Sequence, residues 1–250
     1  MKNLILEELY IEITRNCNQN CQHCMRGTKQ NINISNTVLE HIFMNPEFHI
    51  VKIDKLVLTG GEPFLNPEAI IQILNLLDQQ KIKINILQIV TNGSIYIHSL
   101  IKKLEYFQKK KHLHSPYIIF PSFDQFHQKI PIEIYELFRS SSIFYEGNPT
   151  RILSETQILK EGNAEHHNIG NDWQLPCNEY YLEEKNNDYY LKNKNINFTA
   201  ALYISVNGNI VDQTSYSFKH IDEYKLANII TDSLFDLFPN EKKQKRRFLR

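Results

Sequence analysis

Three of the chain's four cysteines stand within eight residues, in the run Cys17-Asn18-Gln19-Asn20-Cys21-Gln22-His23-Cys24. Thiolates are soft ligands suited to iron-sulfur clusters, zinc or copper(I), and three so close in sequence can close round one metal centre. A structural zinc site wants four protein ligands, and His23 is the fourth at hand. Yet Cys21, His23 and Cys24 sit closer together than the usual two-plus-two zinc knuckle spacing. A cubane cluster held by three thiolates instead keeps one iron open to a ligand from outside the protein. Three unrelated core cysteines would have no packing reason to cluster.

The elements that must position this loop are legible on both sides of it. Leu9 to Thr14 alternates apolar and polar residues and predicts a strand that delivers the chain, through Arg15 and Asn16, to the first cysteine. Ser35 is placed to cap a helix burying Val38, Leu39, Ile42 and Phe43. A short strand, Leu56 to Leu58, runs into Thr59-Gly60-Gly61-Glu62-Pro63. Asn66, Pro67 and Glu68 then supply a cap, a first-turn proline and a first-turn acid for a helix packed through Ile70, Ile73, Leu74 and Leu77. Ile84 to Val90 reads as a strand ending at Thr91-Asn92-Gly93, followed by a helix with Ile97, Leu100, Ile101, Leu104 and Phe107 at helical spacing. Tyr117 to Phe120 is a fourth strand, before Pro121-Ser122-Phe123-Asp124, and Ile143 to Tyr145 a fifth, before Gly147-Asn148-Pro149. This alternation predicts an α/β fold with parallel strands. Polar or glycine-rich residues follow each strand, at the rim where barrels and open sheets both build their active sites.

Taken singly, the rim segments have plain readings. A glycine pair in a βα turn is common, though residues without Cβ also let a ligand approach the backbone closely. Thr91-Asn92-Gly93 and Ser122-x-Asp124 both suit helix entries, and His127 is left unassigned.

With 250 residues, 42% of them apolar, and a formal net charge of zero, the chain is long enough for one sizeable core and has no general attraction to nucleic acid or membrane. No apolar run approaches the roughly 20 residues that span a bilayer, and Met1 to Glu8 lacks the features of a signal peptide. The expected location is cytoplasmic, where closely spaced thiols stay reduced and available to metal.

Cys17-x3-Cys21-x2-Cys24 on a loop after a strand, with Gly60-Gly61-Glu62-Pro63 one βα unit later, resembles the radical S-adenosylmethionine (SAM) superfamily. The resemblance covers residues 8–164 by motif and the remainder by outline. It implies a partial (β/α)6 barrel and an enzyme in which Cys17, Cys21 and Cys24 hold a 4Fe-4S cluster, with SAM on the open iron through its amino and carboxylate groups. His23 falls where the family carries an aromatic or His side chain. The backbone of Gly60, Gly61 and Pro63, with the Glu62 carboxylate, would receive the SAM amino group. Thr91 and Asn92 would line the cofactor site, and Ser122 and Asp124 would meet the ribose hydroxyls. One-electron reduction of SAM would give a 5'-deoxyadenosyl radical that abstracts hydrogen from an unactivated C–H bond, fed by a flavodoxin- or ferredoxin-type reductant. Glu161-Gly162-Asn163-Ala164 resembles a Gly-Arg-Ala segment of relatives, but Asn163 replaces the Arg that would pair with the SAM carboxylate.

After Gly162 the βα rhythm gives way to a polar stretch containing Trp173, Pro176 and Cys177, then a hairpin signal from Ala200 to Val211 through Asn207-Gly208 and a short helix near Leu234. Residues 171–250 are expected to form a small C-terminal β-hairpin and helix extension to a body at 1–170. The extension resembles the SPASM or twitch unit that carries auxiliary clusters, with Asp212 and Gln213 where a further cysteine belongs, so no second cluster is expected. The basic tail, Lys242 to Arg250, reads as a solvated terminus. The SPASM-like outline favours a peptide or protein substrate, with a nucleotide or other small metabolite as the alternative. From a different class, a non-enzymatic zinc or redox module using Cys17, Cys21, Cys24 and His23 stands as runner-up.

Overall fold

A computed structural model describes residues 1–122, 124–148, 152–172 and 178–238. Strand β1 (Lys2–Thr14) is followed by α1 (Asn36–Phe43), β2 (Phe48–Gly60), α2 (Pro67–Gln79), β3 (Lys83–Thr91), α3 (His98–Lys111), β4 (Ile119–Pro121) and α4 (Ile132–Arg139). A short α5 (Asn163–His166) leads to the hairpin of β5 (Tyr180–Lys185) and β6 (Asp188–Asn193). Then come β7 (Ala201–Ile204), β8 (Asn209–Val211), α6 (Phe218–Glu223), β9 (Ala227–Asn228) and α7 (Leu234–Leu237).

Among the described residues one sheet takes all nine strands, in the order β4-β3-β2-β1-β7-β8-β9, with β6 beside the start of β1 and β5 paired to β6. β1 to β4 are mutually parallel, and β1 is also parallel to β6 and β7 on its other edge. The sheet stays open: an α/β fold of the partial-barrel type rather than a closed barrel. The expected fifth strand is reduced to a single parallel bridge between Ile119 and Phe144. The strands predicted from residue 9 and residue 56 begin earlier, at Lys2 and Phe48, because the two 13-residue strands pair with each other along most of their length.

The helices bury the residues their spacing predicts, except Ile97, which precedes α3 and is only partly buried. Val38, Leu39, Ile42 and Phe43 on α1, Ile70, Ile73, Leu74 and Leu77 on α2, and Leu100, Ile101, Leu104 and Phe107 on α3 are all buried. They cover one face of the sheet in a core with Leu9, Ile11, Ile53, Leu56, Leu87 and Ile119. Each such side chain contributes about 1.5–3 kcal/mol on burial. Ser35 caps α1 by accepting from the Val38 N–H. Asn66 does not cap α2 with its side chain; its Nδ2 donates to the Ile13 carbonyl and ties the helix entry to β1.

The expected hairpin forms as β7 and β8, but it is no separate layer. Residues 8–11 of β1 pair with Ala201–Ile204, which makes the C-terminal hairpin part of the main sheet. Trp173, Pro176, Cys177 and the basic tail lie outside the described residues.

Candidate active site

The cysteine loop leaves the end of β1 and is closed at its base by the Arg15 N–H on the Ile32 carbonyl (2.8 Å) and the Gln30 N–H on the Arg15 carbonyl (3.0 Å). Inside it, Cys24 N–H donates to the Cys21 carbonyl and Gly27 N–H to the Cys24 carbonyl. The three half-buried thiols all line one cavity of about 250 Å³, together with Gly60, Gly61, Thr91, Asn92 and Ser122 from the ends of β2, β3 and β4. Burial, and then the charge of the other two thiols, pushes Cys21 up to about 12. The thiols are therefore close enough to oppose one another's ionisation. A cation bound among them would reverse that opposition, so the donor set suits a thiolate-held metal cluster.

The loop is buttressed by two asparagines. Asn92 Nδ2 lies 3.8 Å from Cys17 Sγ and donates to Asn18 Oδ1 at 2.9 Å. Asn163 Nδ2 donates to the Cys21 carbonyl (3.1 Å) and its N–H to the Cys24 carbonyl (2.9 Å). The residue at the expected Arg position thus holds the cysteine loop by its backbone. Gly162, at φ +61°, permits that approach, since a Cβ there would meet the Met25 carbonyl oxygen at 2.4 Å.

The glycine-acid segment lines the cavity through Gly60 and Gly61 and also packs against the cysteine loop. A Cβ on Gly60 would meet the Thr14 carbonyl oxygen at 2.2 Å, and one on Gly61 the Asn16 carbonyl oxygen at 2.2 Å. The pair is therefore required for β2 to pack against the start of the cysteine loop, where Gly61 N–H donates to Thr14 O (2.7 Å) and Glu62 N–H to Asn16 O (2.8 Å). Glu62, read from sequence as a direct receiver of the SAM amino group, is fully buried and does not line the cavity. Its carboxylate accepts from Phe64 N–H (3.0 Å), the Thr91 hydroxyl (2.8 Å) and Asn92 N–H (2.7 Å), bracing the end of β2 against the end of β3. Burial pushes its carboxyl up despite these three donors. Pro63 opens the short turn that follows and is itself buried.

Ser122 is held beside Thr91 by its N–H on the Thr91 carbonyl (2.8 Å), and it lines the cavity as expected. Asp124 does not line it. Asp124 has partners within the protein. Its Oδ1 accepts from the N–H groups of Phe126 (2.9 Å) and His127 (3.2 Å), and its Oδ2 lies 2.8 Å from His127 Nδ1 and 3.5 Å from His23 Nε2.

Sequence reasoning missed the role of Arg15. It is fully buried, lines the cavity, and bonds Asp222 at both oxygens (2.6 and 2.9 Å) and Glu12 (3.1 Å). Glu12 Oε2 also accepts from Val206 N–H (2.9 Å), so the C-terminal hairpin and α6 are bound to the base of the cysteine loop. Burial raises the Asp222 carboxyl, but the Arg15 guanidinium outweighs it and holds the group below the usual carboxylate range. Arg15 stands two residues before Cys17, but nothing local in the sequence pairs it with Asp222.

Comparison with known proteins decides the family: the sequence model of the radical SAM superfamily matches residues 11–136, half of the chain. The chain belongs to the radical SAM superfamily. Radical SAM enzymes use a 4Fe-4S cluster and SAM to generate a 5'-deoxyadenosyl radical, and this chain is such an enzyme. Native anSMEcpe with bound AdoMet and the Cp18Cys peptide is similar in fold, with a TM-score of 0.56 over 97% of this chain and 82% of that one at 17% identity. A hexahistidine-tagged anSMEcpe with bound AdoMet gives a TM-score of 0.58 with the same coverage at 14% identity. At these identities the likeness establishes the radical SAM fold. No protein with a curated description is a significant sequence match. Among the described residues no helix is long and apolar enough to cross a membrane.

Proposed function

We propose that Cys17, Cys21 and Cys24 hold the cluster, that SAM occupies the cavity beside them, and that the substrate is a peptide or protein segment. The observation that carries this reading is the convergence of three thiols with the loop ends of β2, β3 and β4 on one cavity. When bound, the cluster and SAM supply the electron and the sulfonium whose reductive cleavage gives the 5'-deoxyadenosyl radical. The chain's own residues bind, orient and exclude water. Gly60 and Gly61 bring the end of β2 against the cysteine loop. Glu62 acts through position, by fixing Thr91 and Asn92, and Pro63 by opening the turn that follows. Thr91, Asn92 and Ser122 offer hydroxyl and amide groups to the polar parts of SAM. His23 faces the same cavity and Asp124 orients it.

Residues 1–170 form the catalytic body in this reading, and 171–250 a degenerate SPASM- or twitch-like extension without a cluster of its own. The electron comes from a flavodoxin- or ferredoxin-type donor. The peptide reading is supported by the fold shared with anSMEcpe, whose structure holds AdoMet and a peptide. To test it, the reduced, reconstituted protein is given a uniformly deuterated cell extract split into polypeptide and small-molecule fractions. Deuterium in 5'-deoxyadenosine from the polypeptide fraction is the expected result. Label arising only from the small-molecule fraction would overturn the peptide substrate.

A further inference from the structure

Beside the cysteine cavity lies a second set of metal-binding side chains. Asp124 and His127 sit three residues apart on the turn after β4, and His23 comes from the cysteine loop. One ligand atom from each lies within 4.8 Å of the others. The carboxylate is held ready, since both backbone N–H groups that bond it, from Phe126 and His127, take Oδ1 and leave Oδ2 toward the imidazoles. The rings are fixed as well. His23 stacks on Phe126 with centroids 4.8 Å apart at 26°, and His127 meets His23 edge-on at 4.7 Å and 83°.

The triad is only partly satisfied. His127 Nδ1 lies 2.8 Å from Asp124 Oδ2, yet it is buried with no hydrogen-bond partner. His23 Nδ1 is likewise buried without one. Ligand-type atoms crowd together here with hydrogen-bonding capacity left over. Round a tetrahedral ion with bonds of about 2.1 Å, ligand atoms stand roughly 3.4 Å apart. The observed separations of 2.8 and 3.5 Å bracket that value.

We propose that His23, Asp124 and His127 form a site for one divalent first-row transition cation, distinct from the cysteine centre. Two imidazoles and one carboxylate are the donor set of catalytic zinc and of mononuclear non-haem iron, both of which keep coordination positions open. His23 and His127 line the cavity that SAM would occupy, so the open positions face the place where the substrate must meet SAM. An oxygen donor of the substrate, a carboxylate or a carbonyl, completes the shell there. The site orients that group and is not itself a source of electrons.

The site stands on these three side chains alone, so its failure would leave the cysteine reading untouched. The full-length protein, with its cluster reconstituted anaerobically, is dialysed against one equivalent of zinc chloride. Iron and zinc are then counted by mass spectrometry and the zinc shell is read by X-ray absorption. The expected result is about one zinc per chain with nitrogen and oxygen neighbours only. In His127→Gln zinc affinity should fall by more than the roughly 100-fold that loss of an outer-shell partner costs, with iron unchanged. Zinc that washes out of the wild-type protein, a sulfur shell near 2.3 Å, or equal zinc in His127→Gln would each overturn the proposal. If His127→Gln does not fold, the wild-type zinc count and its absorption shell decide alone.

Discussion

Replacing Glu62 by Gln tests whether this carboxylate acts by bracing the site. In the variant the remaining oxygen can keep the Phe64 N–H and the Thr91 hydroxyl, which share Oε1. The new amide nitrogen then faces the Asn92 N–H at the 2.7 Å separation where an oxygen accepted it, donor against donor. Losing a hydrogen bond to a charged acceptor costs about 1.5–3 kcal/mol, and the displaced Asn92 N–H is left without its partner. Burial already pushes the Glu62 carboxyl up, so removing a desolvated charge returns part of that cost. The net destabilisation expected is about 1–3 kcal/mol. For a chain of this size 2 kcal/mol lowers Tm by about 4–8 °C. Asn92 also reaches Cys17 Sγ and Asn18, so the cluster should be lost faster to a chelator in Glu62→Gln than in the wild-type protein. Urea unfolding of the two proteins, with cluster decay followed by its visible absorbance, measures both effects. An unchanged unfolding midpoint together with unchanged cluster decay would refute the brace.

Asp222→Asn should destabilise the protein at neutral pH by about 1–2 kcal/mol, a value discounted for the partial exposure of Asp222 opposite a buried Arg15. Because the folded state lowers the Asp222 carboxyl below 3.8, its contribution is present above that pH and lost as pH falls through the folded value. Urea midpoints measured from pH 7 to pH 3 should therefore converge for the two proteins on the acid side, and a constant gap would contradict the pair. Gly61→Ala should displace the cysteine loop, since its Cβ would meet the Asn16 carbonyl oxygen at 2.2 Å. The expected cost is about 1–3 kcal/mol, with iron content reduced after reconstitution, and full iron loading at wild-type stability would refute the packing argument. With four cysteines in the chain, three of them in one loop, a single cysteine-held cluster is expected. About four irons per chain should be found and retained in Cys177→Ala, whereas about eight would require ligands other than cysteine.

The parts of this site that sequence made legible are those set by local pattern. The cysteine spacing, the capping by Ser35, and the apolar faces of α1, α2 and α3 all depend on residues a few positions apart. The Gly60-Gly61 pair was legible in place but not in cause. The atoms that forbid a Cβ there belong to Thr14 and Asn16, more than forty positions earlier. Glu62 reads as a ligand group through the resemblance of Gly60-Gly61-Glu62-Pro63 to the family motif; its burial follows from donors at the end of β3 that only the parallel register with β2 brings opposite. Arg15 and Asp222 are 207 positions apart, and their pairing exists because β7 joins the free edge of β1. His127 has a plain local reading three residues from Asp124, and only the fold brings His23 to the same carboxylate.

The most direct test of the account is product analysis of the anaerobic, reconstituted protein incubated with SAM and a strong reductant. Slow formation of 5'-deoxyadenosine and methionine without added substrate is expected, abolished when any one of Cys17, Cys21 or Cys24 is changed to Ala. Protein carrying about four irons that binds SAM yet forms no 5'-deoxyadenosine would contradict it.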